Sequence, residues 1–249
     1  MSGHSRWSTI KRKKAASDAK KGAAFTKIIR EIIVAAKSGG DPNSNARLRT
    51  VLEKARAVNM PQENIKKAIQ KGTGELPGVV YEEITYEGYG PGGVALLINV
   101  TTDNKNRSAS NIRTMLSNHG GSMASQNAVA WQFEQKGYIS VPKEEISEDA
   151  IMEAALEAGA QDIKNEDASY DIITEPQQFE SVKKALDAKA IRYNAAEITM
   201  VPKNYVKLTG QDAERMLKLM SELDDDEDVQ NVYSNFDIAQ DEMEKISGQ

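Results

Sequence analysis

The stretch "YISVPKEEISEDAIMEAALEAGAQDIKN", residues 138–165, decides the fold class because the spacing of its apolar residues changes twice. Tyr138–Val141 has the pattern of a short strand, and Glu148–Ala158 has that of a helix. Asp162–Asn165 again has the pattern of a strand. The stretch therefore predicts a β-α-β unit.

The same pattern continues towards residue 201. Tyr170–Thr174 is predicted to be a strand, Pro176–Ala188 a helix and Ile198–Val201 a final strand. The resulting β-α-β-β-α-β order is the signature of a ferredoxin-like domain. We assign it to residues 135–202.

Further strands and helices lie on both sides of this domain. We predict strands at Val79–Tyr86, Val94–Thr101, Ala128–Phe133, Tyr205–Leu208 and Val229–Phe236, and helices at Arg107–Asn118 and Gln211–Leu223. The last 47 residues are too few for a domain of their own. Residues 79–134 and 203–249 are therefore predicted to form one α/β domain, into which the ferredoxin-like domain is inserted.

Three amphipathic helices precede the strands. The first has an apolar side from Phe25 to Ala36, the second covers Ala46–Val58, and the third begins near Pro61 and ends at Gly72. Residues 1–78 are thus predicted to be a helical domain with an N-terminal arm. The predicted fold class is α+β, with an N-terminal three-helix domain followed by two α/β (ferredoxin-like) domains, one inserted in the other.

The charge of the chain is distributed unevenly. The net charge is −5, but residues 1–75 contain 17 Lys and Arg against 6 Asp and Glu, a net charge of +11. Residues 76–249 have a net charge of −16. This asymmetry predicts a segment that binds a polyanion, joined to an acidic remainder.

Much of the positive charge lies in "GHSRWSTIKRKKAASDAKKGAAFTK", residues 3–27. Lys and Arg neutralise phosphates and release counterions, which makes the affinity depend on salt. Trp7 is expected either to stack on a base or to pack against the helices. The candidate nucleic-acid-binding residues are Arg6, Trp7, Lys11, Arg12, Lys13, Lys14, Lys20, Lys21, Lys27, Arg47 and Arg49. These residues do not choose between DNA and RNA.

Other kinds of site find little support. The chain has no Cys and two His, so we expect no catalytic nucleophile, metal or cofactor, and His119 is predicted to cap a helix. Gly88–Gly93 matches a dinucleotide-binding pattern, but a strand follows it, so we predict a hairpin loop. Asp224–Asp228 lacks the ligand spacing of a calcium loop and is predicted to be a solvated helix end.

Two alternatives to nucleic-acid binding remain open. Thr101–Ser108 contains more polar groups than a connection needs, and helix capping accounts for most of them. Lys105 and Arg107 leave room for an anion, so an enzyme for a phosphorylated ligand is one alternative. A protein-interaction scaffold with a solvated basic arm is the other.

No apolar run reaches the length of a membrane span, and no apolar core follows the basic N-terminus as in a secretory signal. We therefore expect a cytoplasmic protein without membrane contact.

Several motifs together are specific to one family. They are GHSRW (3–7), IKRKK (10–14), FTK (25–27), IREI (29–32), NARLR (45–49), NMP (59–61), NIKKAI (64–69), YEGYGPGG (86–93), TTDN (101–104), NR (106–107) and HGG (119–121). They resemble the YebC/PmpR family, which includes the mitochondrial translational activator of cytochrome c oxidase. The resemblance covers essentially the whole chain, although Arg6 stands where Lys or His is common.

The resemblance implies three domains, one helical and two α/β, and a bacterial regulator without enzymatic activity. Some members bind promoter DNA, and we expect this chain to be a DNA-binding transcriptional regulator. Other members associate with ribosomes and relieve slow elongation, notably at proline runs, so an rRNA-binding translation factor is the alternative. The acidic α/β domains are expected to contact a protein partner, since phosphate would be repelled there.

Overall fold

The computed structural model describes residues 18–166 and 168–247, which form an α+β fold. The predicted fold class is therefore confirmed. The described residues contain a group of three helices, two four-stranded antiparallel sheets with helices packed on them, and one short pair of strands.

The three N-terminal helices are α1 (Asp18–Ala36), α2 (Ala46–Ala57) and α3 (Gln62–Thr73). Asn45 joins the first two helices. Its side-chain oxygen accepts the Leu48 N–H at 3.0 Å and caps α2, while its amide nitrogen donates to the carbonyl of Ala35 at 2.8 Å. Most apolar residues predicted from the helical spacing are buried between the helices, with Ile32, Leu48 and Ala55 fully enclosed. The exception is Val58, which was predicted to face inward but follows the last residue of α2 and is exposed.

The predicted end of the third helix at Gly72 is wrong. α3 continues to Thr73, and Gly74 ends it with a φ of 83°. Gly72 lies instead where α3 crosses α1, because a Cβ atom at this position would be 2.4 Å from the carbonyl oxygen of Ile33. This glycine permits close helix packing and does not stop the helix.

The first part of the outer sheet follows the helices. Its elements are β1 (Glu82–Tyr89), β2 (Ala95–Thr102), α4 (Lys105–Asn118) and β3 (Ser122–Met123). β1 and β2 form an antiparallel hairpin through a single 3-10 turn at Pro91–Gly93. The predicted hairpin is thus confirmed, but its loop is shorter than Gly88–Gly93, because Gly88 and Tyr89 still belong to β1 and pair with β2.

The inserted unit has its own sheet. Its elements are β4 (Phe133–Pro142), α5 (Glu148–Glu157), β5 (Asp162–Asn165), β6 (Ser169–Thr174), α6 (Phe179–Ala188) and β7 (Ala195–Pro202). The strand order β5-β6-β4-β7, all antiparallel, is that of a ferredoxin-like fold. This confirms the β-α-β-β-α-β prediction.

The chain then returns to the outer sheet. The remaining elements are β8 (Val206–Lys207), α7 (Gly210–Asp225), β9 (Val229–Ser234), β10 (Phe236–Asp237) and α8 (Gln240–Ser247). β9 pairs with β2 and completes the order β3-β1-β2-β9, while β10 and β8 form a short parallel pair. Residues from both ends of this unit share one core, in which Leu96, Leu116 and Met216 are fully buried.

The predicted strand at Ala128–Phe133 is wrong. Ala130–Gln132 forms a turn of 3-10 helix, and the strand begins only at Phe133. The cause is the buried carboxylate of Glu87, which accepts the backbone N–H groups of Asn127 (2.6 Å), Val129 (2.7 Å) and Ala130 (2.9 Å). These N–H groups are satisfied by a side chain, so they need no neighbouring strand.

Candidate nucleic-acid interface

The predicted binding residues fall into two groups with respect to the structure. Arg6, Trp7, Lys11, Arg12, Lys13 and Lys14 lie outside the described residues. Lys20 and Lys21 belong to α1, and the side chains of Lys27, Arg47 and Arg49 are described.

Lys27 faces the acidic run Asp224–Asp228. Its ammonium group donates to the carbonyl oxygen of Asp224 at 2.6 Å. One turn further along α1, the Arg30 guanidinium donates to the carbonyl of Glu227 at 2.5 Å and to the Asp228 carboxylate at 2.6 Å. This side of α1 therefore lies against the end of α7 and the start of β9.

Asp228 is the centre of a buried polar network. Its carboxylate accepts hydrogen bonds from Ser108 (2.6 Å), Arg107 (2.9 Å) and Thr102 (3.0 Å), in addition to that from Arg30. Burial acts to raise the pKa of Asp228, but these hydrogen bonds and the charge of Arg30 outweigh it, so the pKa lies below its usual value. The network joins α1, β2, α4 and the acidic run.

The prediction of a solvated acidic helix end is thus wrong at Asp228. α7 ends at Asp225, and Asp228 is only 5% exposed. Its position immediately before the predicted strand Val229–Phe236 was the sequence signal that could have indicated burial. The burial of Arg30 could not be predicted from the sequence either, because Arg30 lies on the polar side of α1 and yet is only 9% exposed.

The polar stretch Thr101–Ser108 builds this network. Asn104 caps α4 by accepting the Arg107 N–H at 3.1 Å, which confirms the predicted capping. The Arg107 side chain binds both Asp103, at 2.7 Å, and Asp228. Hydrogen bonds that the guanidinium donates to both carboxylates raise the pKa of Arg107. An anionic ligand at Arg107 would have to compete with two carboxylates.

Arg47 also has an acidic partner. Its guanidinium forms a two-pronged ion pair with Glu83, with Nη1 and Oε2 2.9 Å apart, and this hydrogen bonding raises the pKa of Arg47. The neighbouring Lys37 donates to the carbonyl oxygen of Tyr81 at 2.5 Å. These contacts hold the helices against the start of β1.

A different face of the helices presents cations without such partners. The Arg49 side chain donates only to the carbonyl of Pro42, at 3.3 Å, among the described residues. The side chains of Arg56 and Lys66 are exposed and form no hydrogen bond or ion pair with residues 18–166 or 168–247. Arg56 and Lys66 are not among the binding residues predicted from the sequence, although their positive charge is part of the basic excess.

The remaining polar candidates have structural roles. His119 follows the last residue of α4, as predicted for a cap, and its Nε2 lies 2.7 Å from a carboxylate oxygen of Glu222.

Within the described part of the chain, no three His, Asp or Glu side chains are arranged as a metal site. None of the helices formed by residues 18–166 and 168–247 has the length and apolar character to span a bilayer.

Comparison with known families identifies the chain. The model of the TACO1/YebC N-terminal domain matches residues 5–75, and that of the TACO1/YebC second and third domain matches residues 81–236. The chain belongs to the TACO1/YebC family. The resemblance inferred from the sequence motifs is therefore confirmed.

Relatives within the TACO1/YebC family match over nearly the whole length. A probable transcriptional regulatory protein of Trichlorobacter lovleyi is 56% identical, over 99% of this chain and 100% of the relative. One from Geobacter sulfurreducens is 53% identical with the same coverage. The crystal structure of a conserved hypothetical protein from Aquifex aeolicus has a TM-score of 0.78 and 43% identity, and the match covers 91% of this chain and 94% of that protein.

Proposed function

We propose that this protein is a cytoplasmic, nucleic-acid-binding regulator of gene expression, and specifically a DNA-binding transcriptional regulator. The observation that carries the proposal is the separation of charge, with +11 on residues 1–75 and −16 on the remainder. The relatives described as probable transcriptional regulatory proteins support a role in transcription. We expect no catalytic activity.

In this proposal the two ends of the chain have different tasks. The basic arm and helices bind phosphates through the candidate residues other than Lys27 and Arg47, since Lys27 contacts Asp224 and Arg47 pairs with Glu83. The acidic α/β units repel phosphate and instead bind a protein partner. Either α/β unit alone should then bind nucleic acid far more weakly than the intact chain.

A ribosome-associated translation factor that binds rRNA is the second candidate. The observation that favours it is the packing of α1, in which Lys27 and Arg30 contact the acidic run. A helix that reads DNA bases needs one face free to enter the major groove. Because α1 already contacts the acidic run, recognition of the backbone and shape of a nucleic acid is simpler than the reading of its bases. Structured RNA is commonly recognised in this way.

Crosslinking in cells, followed by sequencing of both the DNA and the RNA fragments, tests the proposal. Enrichment of promoter fragments is the result expected for a transcriptional regulator. Enrichment of ribosomal RNA would replace that function with the translational one. Recovery of neither nucleic acid above the level of an unrelated acidic protein would contradict both.

A further inference from the structure

We infer that the cleft between α2 and α3 is a binding site for the sugar–phosphate backbone of a nucleic acid. This inference rests on the proposed function and goes beyond it by naming the site. The cleft has a volume of about 330 Å³ and lies in the basic N-terminal part of the chain.

The floor of the cleft is apolar and its edges carry positive charge. Leu52 and Ile65 are almost fully buried at its base, next to the partly buried Ile69. Arg56 from α2 and Lys66 from α3 line the cleft, one from each helix. Apolar surface of this kind accommodates the stems of long cationic side chains while their charged ends stay in water.

Helical spacing brings further groups to the same place. Arg49, Leu52 and Arg56 are separated by three and four residues, so they share one face of α2. Arg49 is fixed near the cleft by its hydrogen bond to Pro42, which lines one end. Its planar guanidinium can still donate to a phosphate through the nitrogen atoms that Pro42 does not occupy.

The cations that line this cleft differ in their ion pairing from Lys54 and Lys67 on the same two helices. Lys54 lies 3.0 Å from Glu31, and Lys67 lies 2.6 Å from Glu63, so these cations are neutralised locally. Arg56 and Lys66 have no such partner among the described residues. Glu75 is the acidic residue that lines the cleft, and it accepts a hydrogen bond from Thr73 at 3.1 Å.

Two amide side chains extend the recognition from charge to hydrogen bonding. Gln62 and Gln70 also line the cleft, and each amide can both donate and accept. Amides of this kind bind sugar hydroxyls and base edges, whereas Arg and Lys position the phosphates. The phosphate backbone is common to DNA and RNA, so the two sources are separated by experiment.

The test uses the full-length chain with both cleft cations neutralised, R56Q/K66Q. The matched control is K54Q/K67Q, which removes the same charge from the same two helices but at ion-paired positions. Binding to a labelled duplex DNA and to a labelled single-stranded RNA is measured by fluorescence anisotropy over a range of salt concentrations. Thermal unfolding establishes that both variants are folded.

R56Q/K66Q is expected to bind more weakly and to flatten the slope of log K against log salt. The slope should decrease in magnitude by about 1.8 on duplex DNA or about 1.4 on single strands, as for the loss of two phosphate contacts. The control should keep a slope close to that of the unaltered chain. A larger effect on one of the two probes shows whether the cleft binds the backbone of DNA or that of RNA.

Three results would overturn the inference. Salt-dependent binding by the unaltered chain, with equal slopes for both variants, would place the contact elsewhere while the proposed function stands. Absence of binding to either nucleic acid by the unaltered chain would remove the proposed function together with the site. Binding of polyglutamate as tightly as nucleic acid, lost in R56Q/K66Q, would assign the cleft to an acidic protein.

Discussion

Asp228 connects α1 to the outer sheet because four side chains donate to one buried carboxylate. Arg30, which is 9% exposed, depends on this carboxylate for its charge compensation. A buried ion pair adds little to the stability of the fold compared with a pair of apolar side chains of the same size. Removal of one partner is nevertheless strongly destabilising, because the other charge stays buried without compensation. Asp228 therefore helps to hold α1 against the outer sheet, although its place in an acidic run is typical of a solvated residue.

Asp228→Asn is expected to lower the free energy of unfolding by about 3 kcal/mol, because it removes the buried counter-charge of Arg30 and leaves only the longer contact with the exposed carboxylate of Glu227. Chemical denaturation followed by circular dichroism measures the change. Glu227→Gln is the control, since the Glu227 side chain is 65% exposed and its ion pair with Arg30 is longer, at 3.3 Å. An equal loss in both variants would contradict the role assigned to Asp228.

The pH dependence of stability should also depend on Asp228. Its pKa is lowered in the folded chain, so its contribution is fully present above the pKa of the unfolded chain, about 3.9. That contribution is lost as the pH falls through the lower pKa of the folded state. The difference in unfolding free energy between the unaltered chain and Asp228→Asn should be constant from about pH 5 to 7 and shrink below about pH 4. A difference that grows on acidification would contradict this sign.

Glu87 fixes the loop that leads into the ferredoxin-like unit. Burial acts to raise the pKa of Glu87, but hydrogen bonds from the backbone N–H groups of residues 127–130 outweigh it and lower the pKa. Glu87→Gln replaces one acceptor oxygen by an NH2 group that faces N–H donors. The expected cost is about 2 kcal/mol of unfolding free energy. Glu82→Gln, an exposed position on the same strand, should change it by less than about 0.5 kcal/mol, and equal effects would refute the account.

At the scale of elements, the crossing of α1 and α3 depends on Gly72. Gly72→Ala should destabilise the chain by about 1–3 kcal/mol, because the new methyl group would meet the Ile33 carbonyl and force the helices apart. Gly22→Ala in α1 is the control, since its methyl group would meet open space. That change should stabilise the chain by up to about 1 kcal/mol through helix propensity. Thermal unfolding that ranks the two variants in the opposite order would contradict the packing described.

Elements with a regular apolar repeat could be predicted from the sequence, and those that depend on a distant group could not. The helices and the ferredoxin-like order follow from local periodicity, since each repeat determines its own buried face. The loop at residues 128–132 resembles a strand locally, and only the carboxylate of Glu87, about 40 positions earlier, makes it a turn. Gly72 likewise has the local features of a helix end, while its actual role depends on α1.

The same distinction applies to the candidate site. The sequence could indicate that residues 1–75 are basic, because charge is a sum over residues. It could not indicate which cations have partners within the protein, because the partners of Lys27, Arg30 and Arg47 lie in the outer sheet unit. Cations of α1 thus contact the acidic run, whereas Arg56 and Lys66 in the cleft between α2 and α3 have no acidic partner among the described residues.

At the scale of the whole molecule, the two ends of the chain carry opposite charge while specific contacts hold them together. The acidic run contacts cations on one side of α1, and in the proposed function the arm and the α2–α3 cleft supply the positive surface for a polyanion. An acidic remainder also reduces non-specific association with phosphate. Binding should therefore be electrostatic, confined to the N-terminal part and strongly dependent on salt.

The measurement that tests this claim most directly is a salt titration of nucleic-acid binding by the full-length chain. With contacts to about six phosphates, the slope of log K against log salt should be about −5 on duplex DNA and shallower on single strands. A chain without residues 1–21 should show a clearly reduced slope. A flat salt response of the full-length chain, or a slope unchanged by the deletion, would contradict the account.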